Sequence, residues 1–277
     1  TLDSLIALRP RFQAEKEQEI KAAKKKLGSL PASSPKRYEL NKEIQQLYRG
    51  YICDSLIYYI YENIRLSRQL KDHEKTLESE MSLAVYLAKS GMYLEALVLM
   101  DSIKRADVND ELLDLYYRAY NLIYRQKAYI SKDKVLAERV FAPLAKVYQD
   151  SLFAVVDSGS TIYYDVHIQK YMDEKKFTEA LKLSENRLAM LTPGDREYAA
   201  VWYNIGDVKN MMGDMTGFFE AMMNSAIEDM KHCIKDHASL HRIARTLYDW
   251  DEVSRAASYI QTVSYTHLRA HETLANL

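Results

Sequence analysis

Apolar positions along the chain recur at intervals of three and four, with charged residues filling the other positions, and that spacing predicts amphipathic helices nearly throughout. From Arg11 to Gly28 the stripe is Ile20, Ala23 and Leu27, continuing to Leu30, and the run Lys24-Lys25-Lys26 falls on the solvated face of the same helix. Leu30-Pro-Ala-Ser-Ser-Pro35 reads as a linker, with Ser34 as helix cap and Pro35 as first helical residue. A helix to about Gly50 is expected next. Then DSLIYYIYENIRLSRQL, from Asp54, places Ile57, Ile60 and Ile64 on one face. Thr192-Pro193 repeats the cap-and-proline pattern ahead of helices expected at 201 to 212 and 218 to 232. The pattern therefore predicts roughly a dozen antiparallel helices from Arg11 to Gln261 and no sheet.

A longer period lies over the helical one. Gly91-Met-Tyr-Leu-Glu-Ala-Leu97, Lys175-Lys-Phe-Thr-Glu-Ala-Leu181, Gly213-Asp-Met-Thr-Gly-Phe-Phe219 and Asp251-Glu-Val-Ser-Arg-Ala-Ala257 align on their sixth residues, Ala96, Ala180, Phe218 and Ala256. The last three of these stand at a constant interval of 38 residues. A preceding helix carries a matching pattern at Leu83-Ala84, at Trp202-Tyr-Asn-Ile-Gly206 and at Ile243-Ala244. Trp202, Ile205 and Gly206 in this spacing resemble the tetratricopeptide repeat. That resemblance implies an all-α, right-handed helical-repeat solenoid in which Leu83, Ala84, Ala96, Ala180, Trp202, Gly206, Ala244 and Ala256 pack the two helices of each repeat together. Phe218 and Ile168 depart from the small-residue pattern, so their repeats are expected to splay more.

Composition narrows the function. The 277 residues include 38 basic and 39 acidic ones, a net charge of -1, so no global field recruits nucleic acid or an anionic bilayer. Only 8 Gly and 5 Pro leave little turn chemistry for hairpins. Cys53 and Cys233 form no C-x-x-C pair and read as buried thiols. No window approaches the roughly 18 to 20 apolar residues of a membrane span.

A closer resemblance rests on three segments read in order: LDSLIALRPRFQAEKEQEIKAAKKKL, SSPKRYELNKEIQQLYRGYICDSLIYYI and SAIEDMKHCIKDHASLHRIARTLYDWDEVSRAASYIQ. Together they resemble a family of long bacterial tetratricopeptide-type transcription regulators catalogued under a domain of unknown function. The resemblance implies a periplasmic sensory or partner-binding half of a membrane-anchored regulator. In that family a leader precedes the array, and a membrane span and often a helix-turn-helix follow it. The expected organisation is a leading helix over 1-30, a helical-repeat domain over 31-262 and a tail over 263-277. The tail, VSYTHLRAHET onward, resembles a translated sequencing adapter, which makes residues beyond about 262 an artefact at the end of a metagenomic fragment.

Candidate chemistry is sparse. His267 and His271 stand four apart with Glu272 beside them, the spacing of a one-turn metal pair, but on an adapter-derived tail they have no function. Val155-Val-Asp-Ser-Gly-Ser160 resembles an aspartic-protease fingerprint. Two β-rich lobes are needed for that chemistry, and in a helical array the segment is a helix end, a turn and a Ser160 cap. His232, Cys233, His237 and His241 form a denser cluster and carry the alternative reading, a metal-dependent or carboxylate enzyme. No P-loop, G-x-S-x-G or G-x-G-x-x-G is present. The main expectation is a non-catalytic interaction module without cofactor or metal. A peptide or protein partner would lie in the concave groove, with Tyr86 and Tyr203 among the rings that face it.

Overall fold

The computed structural model describes residues 2 to 260 except 193, 236 and 237. Every regular element among the described residues is helical. In chain order they are α1 Leu2–Gly28, α2 Lys36–Tyr48, α3 Cys53–Gln69, α4 His73–Lys89, α5 Tyr93–Asp101, α6 Leu113–Ile130, the single turn α7 Lys134–Leu136, α8 Ala142–Val155, α9 Thr161–Asp173, α10 Phe177–Met190, α11 Tyr198–Met211, α12 Met215–Lys231 and α13 Ala238–Asp249. Residues 253–260 are helical as well. Short 3-10 turns at Arg105–Asp107 and Asp110–Leu112 precede α6, and a π-helical turn at Ala137–Phe141 leads into α8.

The chain forms two compact units. One holds Ile20–Arg49 and Cys53–Tyr163; the other holds the residues up to Glu19, Gly50–Ile52 and those from Tyr164 onward. In the first, α2 packs on α3, α3 on α4, α4 on both α5 and α6, and α6 on α8. In the second, α10 packs on α11, α11 on α12 and α12 on α13. Neighbours in space are thus mostly neighbours in sequence, as a helical-repeat array requires.

The sequence motif has a backbone cause. Its first residue, at Gly91, Lys175, Gly213 and Asp251, has positive φ in every case (84°, 57°, 81° and 66°). Each follows the end of one helix, and the next amide donates to the carbonyl five residues back: Met92 to Leu87 at 2.9 Å, Lys176 to Tyr171 at 2.8 Å, Asp214 to Lys209 at 2.9 Å and Glu252 to Leu247 at 2.8 Å. This is the Schellman ending, which satisfies the last carbonyls of one helix and turns the chain into the next. Five residues further on, Ala96, Ala180, Phe218 and Ala256 are all buried. Lys71 and Cys233 end α3 and α12 in the same way, with φ of 57° and 55° and with Asp72 and Ile234 donating to Ser67 and Asp229.

Local expectations need adjustment at four places. The leading helix begins at Leu2, ahead of Arg11, because Leu5 and Ile6 extend its apolar stripe onto the core of Phe218, Met222, Ala226, Met230, Leu240, Ile243, Ala244 and Leu247. Helix α2 begins at Lys36 with no side-chain cap; Arg37 instead donates to the carbonyls of Leu27 (2.8 Å) and Leu30 (3.0 Å) at the end of α1. Thr192 caps nothing either. Its amide and hydroxyl both donate to Asp195, at 2.7 and 2.9 Å, and α11 starts only at Tyr198; Pro193 lies outside the described residues. In α3 the buried stripe is Leu56, Tyr59, Ile60, Asn63 and Ile64, leaving Ile57 half-buried; Cys53, expected as a buried thiol, is exposed at the start of this helix, and Cys233 is only half-buried.

Candidate partner-binding surface

The eight positions named for packing sit as follows. Leu83 and Ala84 of α4, Ala96 of α5, Ala180 of α10, Gly206 of α11, Ala244 of α13 and Ala256 are buried, and Trp202 is half-buried beside Val201, Ile205 and Ala221. Trp202 also meets the Tyr198 ring edge-on at 6.3 Å. Gly206 marks a close approach of two helices. A methyl group there would stand 2.5 Å from Cε of Met222 and 3.4 Å from Cβ of Ala221, so α12 lies against the bare backbone of α11. Phe218 takes the place alanine has in the other motifs and joins the core of α12 and α13, and Ile168 is buried on α9.

Tyr86 and Tyr203, expected to face a groove, belong to different units and have different surroundings. Tyr86, half-buried on α4, has the ammonium of Lys89 5.8 Å from its ring centroid. Tyr203, half-buried on α11, sits in a polar cluster. Arg242 of α13 donates to Asp207 Oδ1 and reaches the Tyr203 hydroxyl at 3.4 Å, and its guanidinium lies 5.8 Å from the Tyr203 ring and 5.0 Å from the Phe218 ring. Burial raises the Asp207 carboxyl above its ordinary value, with Arg242 opposing that shift. Tyrosine and aspartate of α11 and arginine of α13 make a patch that offers stacking, donor and acceptor together.

A larger aromatic group was not singled out by the sequence reading. Tyr120 and Tyr148 stack at 4.5 Å with an interplanar angle of 8°, and Tyr124 stacks on Tyr148 at 5.7 Å and 7°. Tyr116 meets Tyr120 edge-on at 5.1 Å, and Tyr117 lies 6.5 Å from Tyr148. The Tyr120 hydroxyl donates to Asp101 at 3.0 Å, and Arg105 donates to the Tyr117 hydroxyl at 3.1 Å. Burial, reinforced by the neighbouring tyrosines and Asp101, pushes the Tyr148 phenol up to about 12. The signal for this cluster was present in Tyr116, Tyr120 and Tyr124, which recur at the four-residue step of one helix face. Tyr148, which completes it, comes from α8 and shares no local pattern with them.

Those residues of the alternative, enzymatic reading that are described form no metal-binding group. Among the described residues no three of His, Cys, Asp and Glu are placed to hold a metal. His232 ends α12 with Nε2 4.0 Å from Glu228 Oε2, and neither atom has a hydrogen bond. Burial lowers the His232 imidazole below its ordinary value of 6.5; Glu228 opposes this, and Arg196, Lys16 and Lys231 add to it. His241 is exposed on α13, while His237 and the tail residues His267, His271 and Glu272 lie outside the described residues. At Val155 α8 ends, a turn follows, and Ser160 Oγ accepts from the amide of Tyr163 at 3.2 Å, so the protease-like stretch is a helix boundary. No helix among the described residues is long and apolar enough to cross a membrane.

The comparisons agree with the repeat geometry. The family model described as SusR N-terminal TPR domain matches residues 6–265. No curated protein matches the chain.

Proposed function

Because the chain belongs to the SusR N-terminal TPR domain family, an all-α, helix-stacked type of non-catalytic interaction domain that holds protein partners in a concave groove, we propose that it is the partner-binding, sensory part of a membrane-anchored bacterial transcription regulator. The match over 6–265 is the observation that carries this reading. The sensing region would lie on the periplasmic side, with the span and the DNA-binding output in other parts of the protein, and no direct nucleic-acid contact by this segment. The near-neutral charge fits that division of labour. Residues 1-30 would act as a leading helix, 31-262 as the repeat domain and 263-277 as an adapter-derived tail.

Peptide or protein partners are proposed to contact the half-buried rings of Tyr86 in one unit and Tyr203 in the other. Tyr203 is the better equipped, since Arg242 and Asp207 supply charge beside its ring. Two measurements test the reading. Recovery of the complete reading frame should reveal a leader, a membrane span and a helix-turn-helix around this domain; a frame with none of them overturns the regulator assignment. Peptides selected against the purified domain from a random display library should lose affinity for Tyr203→Ala or Tyr86→Ala at unchanged melting temperature. Selected peptides indifferent to both substitutions would refute the tyrosine surfaces.

A further inference from the structure

Where α5 ends beside α6 and α8, the phenols of Tyr120, Tyr124 and Tyr148 all lie within electrostatic reach of one carboxylate, that of Asp101. We infer that the Asp101 edge of this tyrosine cluster binds the guanidinium of an arginine side chain carried by a protein partner. The protein source rests on the chain's membership of a partner-holding family. The site is separate from Tyr86 and Tyr203, and its test stands apart from theirs.

Asp101 is the last residue of α5 and is exposed. It accepts from the Tyr120 hydroxyl at 3.0 Å and makes no ion pair among the described residues. A carboxylate in that position faces the negative end of the helix dipole, so its charge works against α5. The bond from Tyr120 needs only an acceptor, which the amide oxygen of an asparagine would supply equally well. Folding therefore uses the oxygen of Asp101 and leaves its charge for a cation from outside.

The rings beside it are in the same condition. Tyr38, Tyr48, Tyr51, Tyr86 and Tyr203 each have a lysine or arginine of this chain 4.1 to 5.8 Å from the ring centroid. Tyr120, Tyr124 and Tyr148 have none among the described residues. Tyr124 and Tyr148 are half-buried, and their hydroxyls make no hydrogen bond among the described residues. Burial first, and then Asp101, raises the Tyr124 phenol above its ordinary value, so this hydroxyl is neutral near pH 7 and can accept a hydrogen bond. The Tyr117 edge of the same cluster shows what fits it. There the Arg105 guanidinium lies 5.8 Å from the Tyr117 ring centroid and donates to the Tyr117 hydroxyl at 3.1 Å. A planar guanidinium can lie on a ring and also donate in its plane to a carboxylate and a phenol oxygen, whereas an ammonium is a compact, strongly hydrated point charge.

The experiment uses the whole chain with carbon-13 in its tyrosine rings, the Tyr124 and Tyr148 signals being assigned from Tyr124→Phe and Tyr148→Phe. The probe is the capped peptide acetyl-Gly-Gly-Arg-Gly-Gly-amide, titrated at pH 7 and constant ionic strength. Saturable shifts of the Tyr124 and Tyr148 signals are expected. The same peptide with citrulline or lysine in place of arginine should bind about five-fold more weakly or worse. Asp101→Asn, which keeps the acceptor for Tyr120, should melt like the parent and weaken the arginine peptide about two- to five-fold. No saturable shift, equal binding of the citrulline or lysine peptide, or undiminished binding by Asp101→Asn overturns the site. Methylguanidinium should bind more weakly than the arginine peptide, and equal or tighter binding overturns the protein source. Should Asp101→Asn fail to fold, Tyr124→Leu takes its place, read from the Tyr148 signal, with weaker binding expected and unchanged affinity overturning the proposal.

Discussion

At the scale of single residues, backbone conformation and close contact give the sharpest expectations. Gly206 faces Met222 and Ala221 with no room for a branched side chain. Gly206→Leu should cost about 1 to 3 kcal/mol by overpacking α11 against α12. Gly206→Ala should cost less, since the nearest atom is the mobile end of a methionine; equal melting of Gly206→Leu and the parent would contradict the contact. Lys175 holds a left-handed conformation that glycine adopts at Gly91 and Gly213. Lys175→Gly is therefore expected to stabilise the chain by about 0.5 to 1 kcal/mol, visible as a raised urea midpoint. For His232 the sign follows from burial. With its folded pKa below 6.5, the unfolded chain takes up the proton first on acidification, so this residue's contribution is present above pH 6.5 and lost as pH falls below it. Stability measured against pH should flatten in that range in His232→Asn, and an unchanged slope would show that the imidazole is not the titrating group.

Elements are held by caps and by a few buried polar links as much as by apolar stripes. Asp214 accepts from the Gly217 amide at 2.8 Å at the start of α12, and Asp72 accepts from Lys75 at 3.1 Å at the start of α4. Asp214→Ala should cost about 0.5 to 2 kcal/mol in chemical denaturation, and a loss near zero would mean water replaces the cap fully. Between α2 and α3 the buried Asn41 donates to Asn63 at 2.8 Å, and Asn63 donates to the Tyr38 carbonyl at 3.1 Å. This link fixes the register of the two helices in a way that apolar contact alone does not. The apolar stripes of α2 and α3 announced the helices; they gave no hint of which asparagine would meet which.

For the molecule as a whole, a repeat array transmits stability mainly between neighbouring helices, so damage should stay local. Hydrogen exchange in Gly206→Leu is expected to quicken in α11 and α12 and their neighbours α10 and α13, leaving α2 to α6 near their parent rates. Uniform loss of protection across both units would instead indicate one cooperative block. Removing residues 263–277 should leave the melting temperature where it is, in keeping with the proposed foreign origin of that tail. A large drop would mean that the tail packs on the array.

Helical class and the repeat were legible in the sequence because both depend on local chemistry: a three-to-four-residue apolar step, and a left-handed residue followed five positions later by a buried one. Gly91, Lys175, Gly213 and Asp251 state the turn, and Ala96, Ala180, Phe218 and Ala256 state the packing that follows it. Tertiary structure alone decided what those helices bring together. The stack of Tyr148 on Tyr120, the pairing of Arg242 with Asp207, and the meeting of Arg9, Tyr51 and Lys235 around Cys233 join residues separated by tens or hundreds of positions. Periodicity places a side chain on the inner or outer face of its own helix. Which residue of another helix it meets depends on the register and crossing of the two helices, which are set by the packing of their whole surfaces.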